Sequence, residues 1–209
     1  KGSVTLEDIY QSELLIIMGQ NPGTNHPRML SAVQKCKENG GKVITVNPLP
    51  EAGLLRYTDP QSVKRMVTNG ISITDLFLPV RINGDVAFLK ALMIKLLKMD
   101  EEIGGVIDHE FIKEHTSEYA EFIAGLKEAD YQKCLEDSGL SEEQIDNAAE
   151  MVAKKEKIIV CWAMGLTQHV NGVDNIKEVV NLLLMRGAIG KPGAGTCPVR
   201  GHSNVQGDR

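Results

Sequence analysis

The sequence predicts an α/β fold, a mostly parallel sheet with helices on both faces. Three observations carry that expectation. Short, predominantly apolar runs occur at residues 14–19 (LLIIMG), within KVITVNP at 43–46, and at 157–165 (KIIVCWAMG). Such runs mark strands buried on both faces, because a half-exposed strand would alternate polar and apolar residues. A helical pattern follows the first and third runs, and a dense one follows a further short run, DLFLPVRI. Strand, helix and strand within about 35 residues form a βαβ unit, whose crossover is right-handed and whose strands are parallel.

Taken in order, the first strand ends at Gly19 and gives way to QNPGTNHP, a loop rich in Asn, Pro and Gly. Pro27 suits the first turn of a helix. Residues 28–39 have helical spacing, with Met29, Leu30, Val33 and Cys36 or Lys37 on one side, and the glycines of ENGG end it. The second strand stops at Asn47-Pro48. Residues 49–72 are irregular, with one helical turn expected around 63–67. Asn83-Gly84-Asp85 opens a helix over 86–99 whose apolar residues are dense enough for burial on most sides.

Residues 108–153 read as a helical insert of three or four helices. Asp108 and Ser141 are its candidate N-caps, and Ser141 with Gln144 makes a capping box. After the strand at 157–165, LTQHVNG reads as a loop. Residues 173–188 are a helix with Ile176, Val179, Val180, Leu183 and Leu184 on its apolar side. Residues 190–209 read as a glycine-rich loop and tail. Strand, Gly, polar loop with His, then helix occurs twice, at LLIIMGQNPGTNHP and at IIVCWAMGLTQHVNG.

With 209 residues the chain is long enough for a single domain with a substantial core. Aromatic residues are only 4%, so Val, Ile, Leu, Met and Ala must fill that core. A net charge of -5 argues against a nucleic-acid or membrane-surface partner, and no apolar run approaches the length that spans a bilayer. No signal peptide is visible, and the first residue is Lys1. The four cysteines, Cys36, Cys134, Cys161 and Cys197, show no C-x-x-C spacing. The expectation is therefore reduced, mostly buried thiols in a cytoplasmic protein, with no metal ligands in this chain.

In open parallel sheets ligands bind beyond the carboxyl ends of the strands. Four polar clusters fall there: residues 19–26, Asn47 with Pro48, residues 83–85, and residues 165–169. Each alone reads as a turn, but together on one rim they point to a nucleotide-like ligand. The first loop can aim backbone N–H groups at a phosphate. Asn47 stands where nucleotide folds place a ribose partner. Asp85 can accept from a base edge or a ribose, or simply favour the helix N-terminus it opens. Neither G-x-G-x-x-G nor G-x-x-x-x-G-K-[ST] is present, and no H-x-x-x-H, H-E-x-x-H or G-x-S-x-G pattern occurs. His109 and His115 read as surface residues. The residues alone thus point to a nucleotide-type binding domain of a larger enzyme. A stand-alone nucleotide-binding module remains the alternative, as does an enzyme using Asp85 with His26 or His169 as acid and base.

Five stretches match a known pattern in order along nearly the whole chain: IIMGQNPGTNHP, VITVNPLPEAGL, LPVRINGDVAFLKALM, AMGLTQHVNGVDNI and LLLMRGAIGKPGAGTCPVRGHSNVQGDR. With these the chain resembles the molybdopterin oxidoreductases of the dimethyl-sulfoxide-reductase superfamily, in particular formate-dehydrogenase-like alpha subunits. The acidic helical insert matches only loosely. The resemblance implies a Rossmann-like domain that clasps one of two molybdopterin guanine dinucleotides around a molybdenum. An iron–sulfur cluster, where present, would lie outside this chain.

By the same resemblance Gly19, Asn21, Pro22, Asn25 and His26 line the first cofactor loop. Asn47, Pro48, Asn83, Gly84 and Asp85 border the guanosine, and Met164 and Gln168 touch the pterin side. Arg200 matches an arginine that orients formate near the metal, a role suited to a guanidinium fork. Three departures stand out. Asn47 replaces a common Asp. RGHSNVQG replaces RGQNNVQG, so His202 and Ser203 flank Arg200 differently. The upstream Cys or selenocysteine that ligates the metal is absent.

The expectation is thus a fragment of a two-electron oxidoreductase, inactive alone, whose last residues are an active-site loop acting as a partly disordered tail. Its implied partners are a small substrate, the pterin cofactor, the rest of the parent chain and an electron-transfer protein.

Overall fold

A computed structural model describes residues 4–57 and 71–199 of the chain. The helical turn expected around 63–67, together with Arg200, His202 and Ser203, lies outside the described residues.

The chain opens with α1 (Leu6–Gln11), which is capped by Thr5 and was not expected from the sequence. Next come β1 (Leu14–Met18), a single turn α2 (Pro22–Asn25), α3 (Pro27–Glu38) and β2 (Lys42–Val46). A turn α4 (Ala52–Leu55) leads to β3 (Arg56–Tyr57), which pairs antiparallel with β4 (Ile71–Ser72). The short strand β5 (Leu76–Leu78) precedes α5 (Asp85–Ile103), which is longer than its apolar pattern indicated. The insert is four helices, α6 (His109–His115), α7 (Tyr119–Glu128), α8 (Tyr131–Ser138) and α9 (Glu142–Ala153). The chain returns through β6 (Ile158–Trp162), a turn α10 (Met164–Thr167) and α11 (Gly172–Met185) to β7 (Gly195–Pro198).

Two expectations need correction. LTQHVNG is not wholly loop, because Met164–Thr167 closes a helical turn on the end of β6. The region from 190 is not all loop and tail, because Gly195–Pro198 pairs with β6 as an edge strand. Gly and Pro around a four-residue strand hid it, since both are poor strand formers.

The five main strands run parallel in the order β5-β2-β1-β6-β7. The chain steps outward from β1 through β2 to β5, then crosses back to β6 and steps outward to β7. The order therefore reverses between β1 and β6, which is the topological switch point of such sheets.

Strand side chains divide between two cores. Leu14, Ile16 and Met18 of β1 join Ile44, Val46, Val160 and residues of α5, α9 and α11 on one face. Leu15 and Ile17 join Val43, Ile159 and residues of α1, α3 and α4 on the other. All five β1 residues are at most 1% exposed, so each contributes about 1.5–3 kcal/mol of burial. The helix α5 forms the centre of its layer, with Phe88, Leu89, Ala91, Leu92, Met93 and Leu96 buried against α7, α8, α9 and α11.

Side-chain caps fix the insert. Asp108 accepts from the Phe111 N–H at 3.0 Å and Asp130 from the Lys133 N–H at 3.1 Å. Ser141 and Gln144 satisfy each other's backbone N–H groups at 3.2 and 2.9 Å, completing the capping box read from the sequence.

Candidate functional site

At the carboxyl ends of the strands the ladder continues into the loops. The Asn47 N–H donates to the Leu78 carbonyl at 3.2 Å, and the Gly19 N–H to the Val46 carbonyl at 3.1 Å. Across the switch point the Gly165 N–H donates to the Gly19 carbonyl at 3.1 Å. At the far side the Val199 N–H donates to the Trp162 carbonyl at 2.8 Å. The loops after β5, β2, β1, β6 and β7 therefore form one continuous rim.

Glycine is required where the two central loops meet. Gly19 has φ +55°, and a Cβ there would lie 2.6 Å from the Leu166 nitrogen. A Cβ on Gly165 would lie 2.5 Å from the Gly19 oxygen. Only glycine at both positions lets the two backbones touch.

The first loop is ordered by its own residues. Asn21 Oδ1 caps α2 by accepting from the Thr24 N–H at 3.2 Å, and buried Pro22 takes the first helical position. Asn25 is exposed at the end of that turn, and half-buried His26 stands at the N-cap position of α3. Gln20, which sequence reasoning passed over, is 3% exposed. Its Nε2 meets Met29 Sδ at 3.0 Å, while its Oε1 is buried without a hydrogen-bond partner. A polar residue wedged between a strand end and a loop was its only signal in the sequence.

On the β2–β5 side, Asn47 is half-buried and its Nδ2 donates to the Leu49 carbonyl at 3.1 Å, while Pro48 is exposed. Asn83 is exposed with φ +68°, a conformation asparagine tolerates better than most residues. Gly84 is the N-cap of α5, and a Cβ there would lie 2.9 Å from the Asp137 carbonyl oxygen. The α8 end also braces this turn. The Arg81 N–H donates to the Ser138 carbonyl at 2.8 Å and Arg81 Nη1 to the Glu136 carbonyl at 2.7 Å. The sequence offered no sign that the insert supports the rim.

Asp85 is 5% exposed in the first turn of α5. Burial pushes its carboxyl above the ordinary range, offset in part by the His169 imidazole and by its own backbone N–H. On the β6 side, Met164 and Gln168 are exposed one helical turn apart, with Gln168 Nε2 3.6 Å from Met164 Sδ. His169 Nε2 lies 2.8 Å from the Gly165 carbonyl oxygen.

Three long helices, α3, α5 and α11, begin on this rim at His26, Gly84 and Asn171, and none has a side-chain hydrogen bond at its N-cap. The insert helices α6, α8 and α9 do, whereas α7 does not. Such N-termini present the positive end of the helix dipole, which suits an anion, although Pro27 has no N–H and the Met29 and Gly172 N–H groups already donate to the His26 and His169 carbonyls at 2.8 and 3.0 Å. Asn171 Oδ1 is a further buried acceptor without a partner. The structure thus brings Gly19, Asn21, Pro22, Asn25, His26, Asn47, Pro48, Asn83, Gly84, Asp85, Met164 and Gln168 to one edge of the sheet. A groove of about 510 Å³ runs down the outer face of α11, lined by Thr167, Val173, Ile176 and Val180 among others, and none of these twelve lines it.

The family model described as molybdopterin oxidoreductase matches residues 2–208. The chain belongs to the molybdopterin oxidoreductase family. It is 49% identical, over its whole length, to an uncharacterized oxidoreductase of Mycobacterium tuberculosis, covering 27% of that protein. It is 45% identical to protein YdeP of Escherichia coli, again over its whole length and covering 28% of that protein. It is 33% identical over 97% of its length to the F420-dependent formate dehydrogenase 1 subunit alpha of Methanococcus maripaludis, covering 27% of that chain. Its fold is similar to that of acetylene hydratase from Pelobacter acetylenicus, with TM-score 0.71 and 18% identity over 90% of this chain and 25% of the other.

The chain therefore spans about a quarter of the length of these relatives. Among the described residues no group of three or more His, Cys, Asp or Glu is placed to hold a metal, and no helix is long and apolar enough to cross a membrane.

Proposed function

We propose that this chain holds one molybdopterin guanine dinucleotide along its carboxyl rim, within a formate-dehydrogenase-like enzyme. The observation that carries this reading is the convergence of three uncapped helix N-termini on a switch point closed by Gly19 and Gly165. The residues present fit a polar, phosphate-bearing cofactor. Gln20 Oε1 and Asn171 Oδ1 are buried acceptors that suit the hydroxyl and N–H groups of such a cofactor, not its phosphates, and burying such an atom unpaired costs about 1–3 kcal/mol.

In this reading first-turn N–H groups of α5 and α11 hold phosphate oxygens, with the positive end of the α3 dipole beside them. Asn47, Pro48, Asn83 and Gly84 border the guanosine, and Asp85 accepts from its N–H groups. New donors offset the cost of burying that carboxylate. Met164 and Gln168 flank the pterin, with Gly19, Asn21, Pro22, Asn25 and His26 forming the opposing wall.

When bound, the cofactor and its molybdenum supply two-electron redox capacity, and the protein supplies binding and electrostatics. Arg200 orients the carboxylate of formate, with His202 and Ser203 beside it. Val199, the last described residue before Arg200, is tied to the Trp162 carbonyl at the rim, which supports that assignment. An iron–sulfur cluster, where the parent has one, lies outside this chain, as does any electron-transfer partner, and the parent works in the cytoplasm.

The test is a backbone-NMR titration with GDP, with ADP as control, on the protein and on Asp85→Ala. Saturable, GDP-selective shifts at residues 19–26, Asn47 and residues 83–85, weakened by the substitution, are the expected outcome. Equal shifts with ADP overturn the guanosine assignment. Formate-dependent dye reduction by the parent protein, lost in Arg200→Lys, tests the substrate.

A further inference from the structure

Three of the four cysteines gather on one face of the sheet, around β6 and β7. Cys161 and Cys197 are register partners on these adjacent parallel strands, so their side chains leave the same face side by side. Neighbouring strands are about 4.8 Å apart, inside the Cα separation of roughly 4.4–6.8 Å that a disulfide spans. The two thiols perturb each other's ionisation. Both are free thiols.

The two are not equivalent. Cys161 is fully buried on an inner strand, whereas Cys197 is half-buried on the edge strand β7. Its contact with Cys161 draws Cys197 below the ordinary thiol range. The same contact and full burial hold Cys161 well above it. Of the other two, Cys36 is buried and Cys134 is half-buried. Cys36 donates to the Ser12 carbonyl at 3.2 Å and burial pushes its thiol up to about 11. Burial also raises Cys134, on α8.

We propose that Cys197 and Cys161 form a reversible thiol-oxidation site, with Cys197 as the attacking sulfur and Cys161 as the resolving one. The oxidant is a hydroperoxide. The Cys197 thiolate attacks the terminal peroxide oxygen, the O–O bond breaks, and the departing alkoxide takes a proton to leave as alcohol, or as water from hydrogen peroxide. Cys197 is then a sulfenic acid. The Cys161 sulfur displaces that hydroxyl, which leaves as water with the Cys161 proton, and the S–S bond forms. Two thiols lose two electrons and the peroxide gains them. A thiol reductant reverses the step through a mixed disulfide. The bond ties β7 to β6 three residues before Arg200.

The test is to expose the reduced protein to one equivalent of hydrogen peroxide, block free thiols with N-ethylmaleimide, and map peptides by mass. The expected product is a Cys161–Cys197 linked peptide, reversed by dithiothreitol, with Cys36 and Cys134 alkylated. In Cys161→Ser, oxidation stops at Cys197 sulfenic acid, trapped by dimedone. Without peroxide, iodoacetamide at pH 7 labels Cys197 at least tenfold faster than Cys134. Alkylation of both Cys161 and Cys197 after peroxide treatment, or oxidation at Cys134 or Cys36 instead, overturns the proposal. The wild-type map decides this even if the variant does not fold.

Discussion

The Gly165 N–H reaches the Gly19 carbonyl at 3.1 Å, joining the loops that follow β1 and β6 where the strand order reverses. The contact leaves no room for a side chain on either residue. In Gly165→Ala the new Cβ would meet the Gly19 oxygen at 2.5 Å. The loops must part, and overpacking of this kind costs about 1–3 kcal/mol. Urea unfolding should show that loss, and GDP-selective NMR shifts at residues 19–26 should disappear. An unchanged midpoint would mean that the two loops do not need each other.

Asp85 should show stability working against binding. Its folded pKa is raised, chiefly by burial. The unfolded chain therefore gives up its proton first as pH rises. Stability is full below the unfolded value, falls as pH climbs through the folded value, and stays reduced above it. Asp85→Asn removes the ionisable group and should flatten this part of the stability–pH curve. It should raise the melting temperature at pH 7 by a few degrees, at about 2–4 °C per kcal/mol for a chain of this size, while weakening GDP binding.

Asp75 shifts the other way. Burial would raise its pKa, but hydrogen bonds from Lys37 at 2.7 Å, from the Val43 N–H at 2.8 Å and from Lys42 at 3.2 Å outweigh it and hold the carboxyl low. This contribution is complete above the unfolded pKa and is lost as pH falls through the lower folded one. Asp75→Asn should cost about 1–3 kcal/mol at pH 7. The difference from the unsubstituted protein should vanish in unfolding curves near pH 2.

Ser141→Ala removes one half of the capping box at the start of α9. It should cost about 1 kcal/mol in thermal unfolding and leave GDP binding unchanged. A change in binding would mean that α9 is coupled to the rim.

The parallel core was legible because β1, β2 and β6 are apolar runs that fit only a strand buried on both faces. Helices α9 and α11 announced themselves through a capping box and a regular apolar stripe. Strand β7 was not legible, because GTCP has no such run and is held in place by pairing with β6. Likewise α1 is only six residues long and is fixed by its capping box and by contact with α3. Within the site, the rim loops stood out as polar punctuation after apolar runs. Gln20 did not, because its unpaired oxygen is a product of three-dimensional burial. The Cys161–Cys197 contact depends on a register that no spacing of 36 residues can reveal.

The brace between α8 and the turn before α5 gives the helical insert a second meaning. Arg81 is gripped by the carbonyls of Glu136 and Ser138, and Gly139 packs against its side chain. A substitution in α8 that shifts its last turn by a fraction of an ångström therefore moves Asn83 and Asp85 with it. Two relatives with identical rim residues could in this way differ in affinity. The helical insert works as a remote dial, and mutational scans confined to residues that touch the ligand would overlook it.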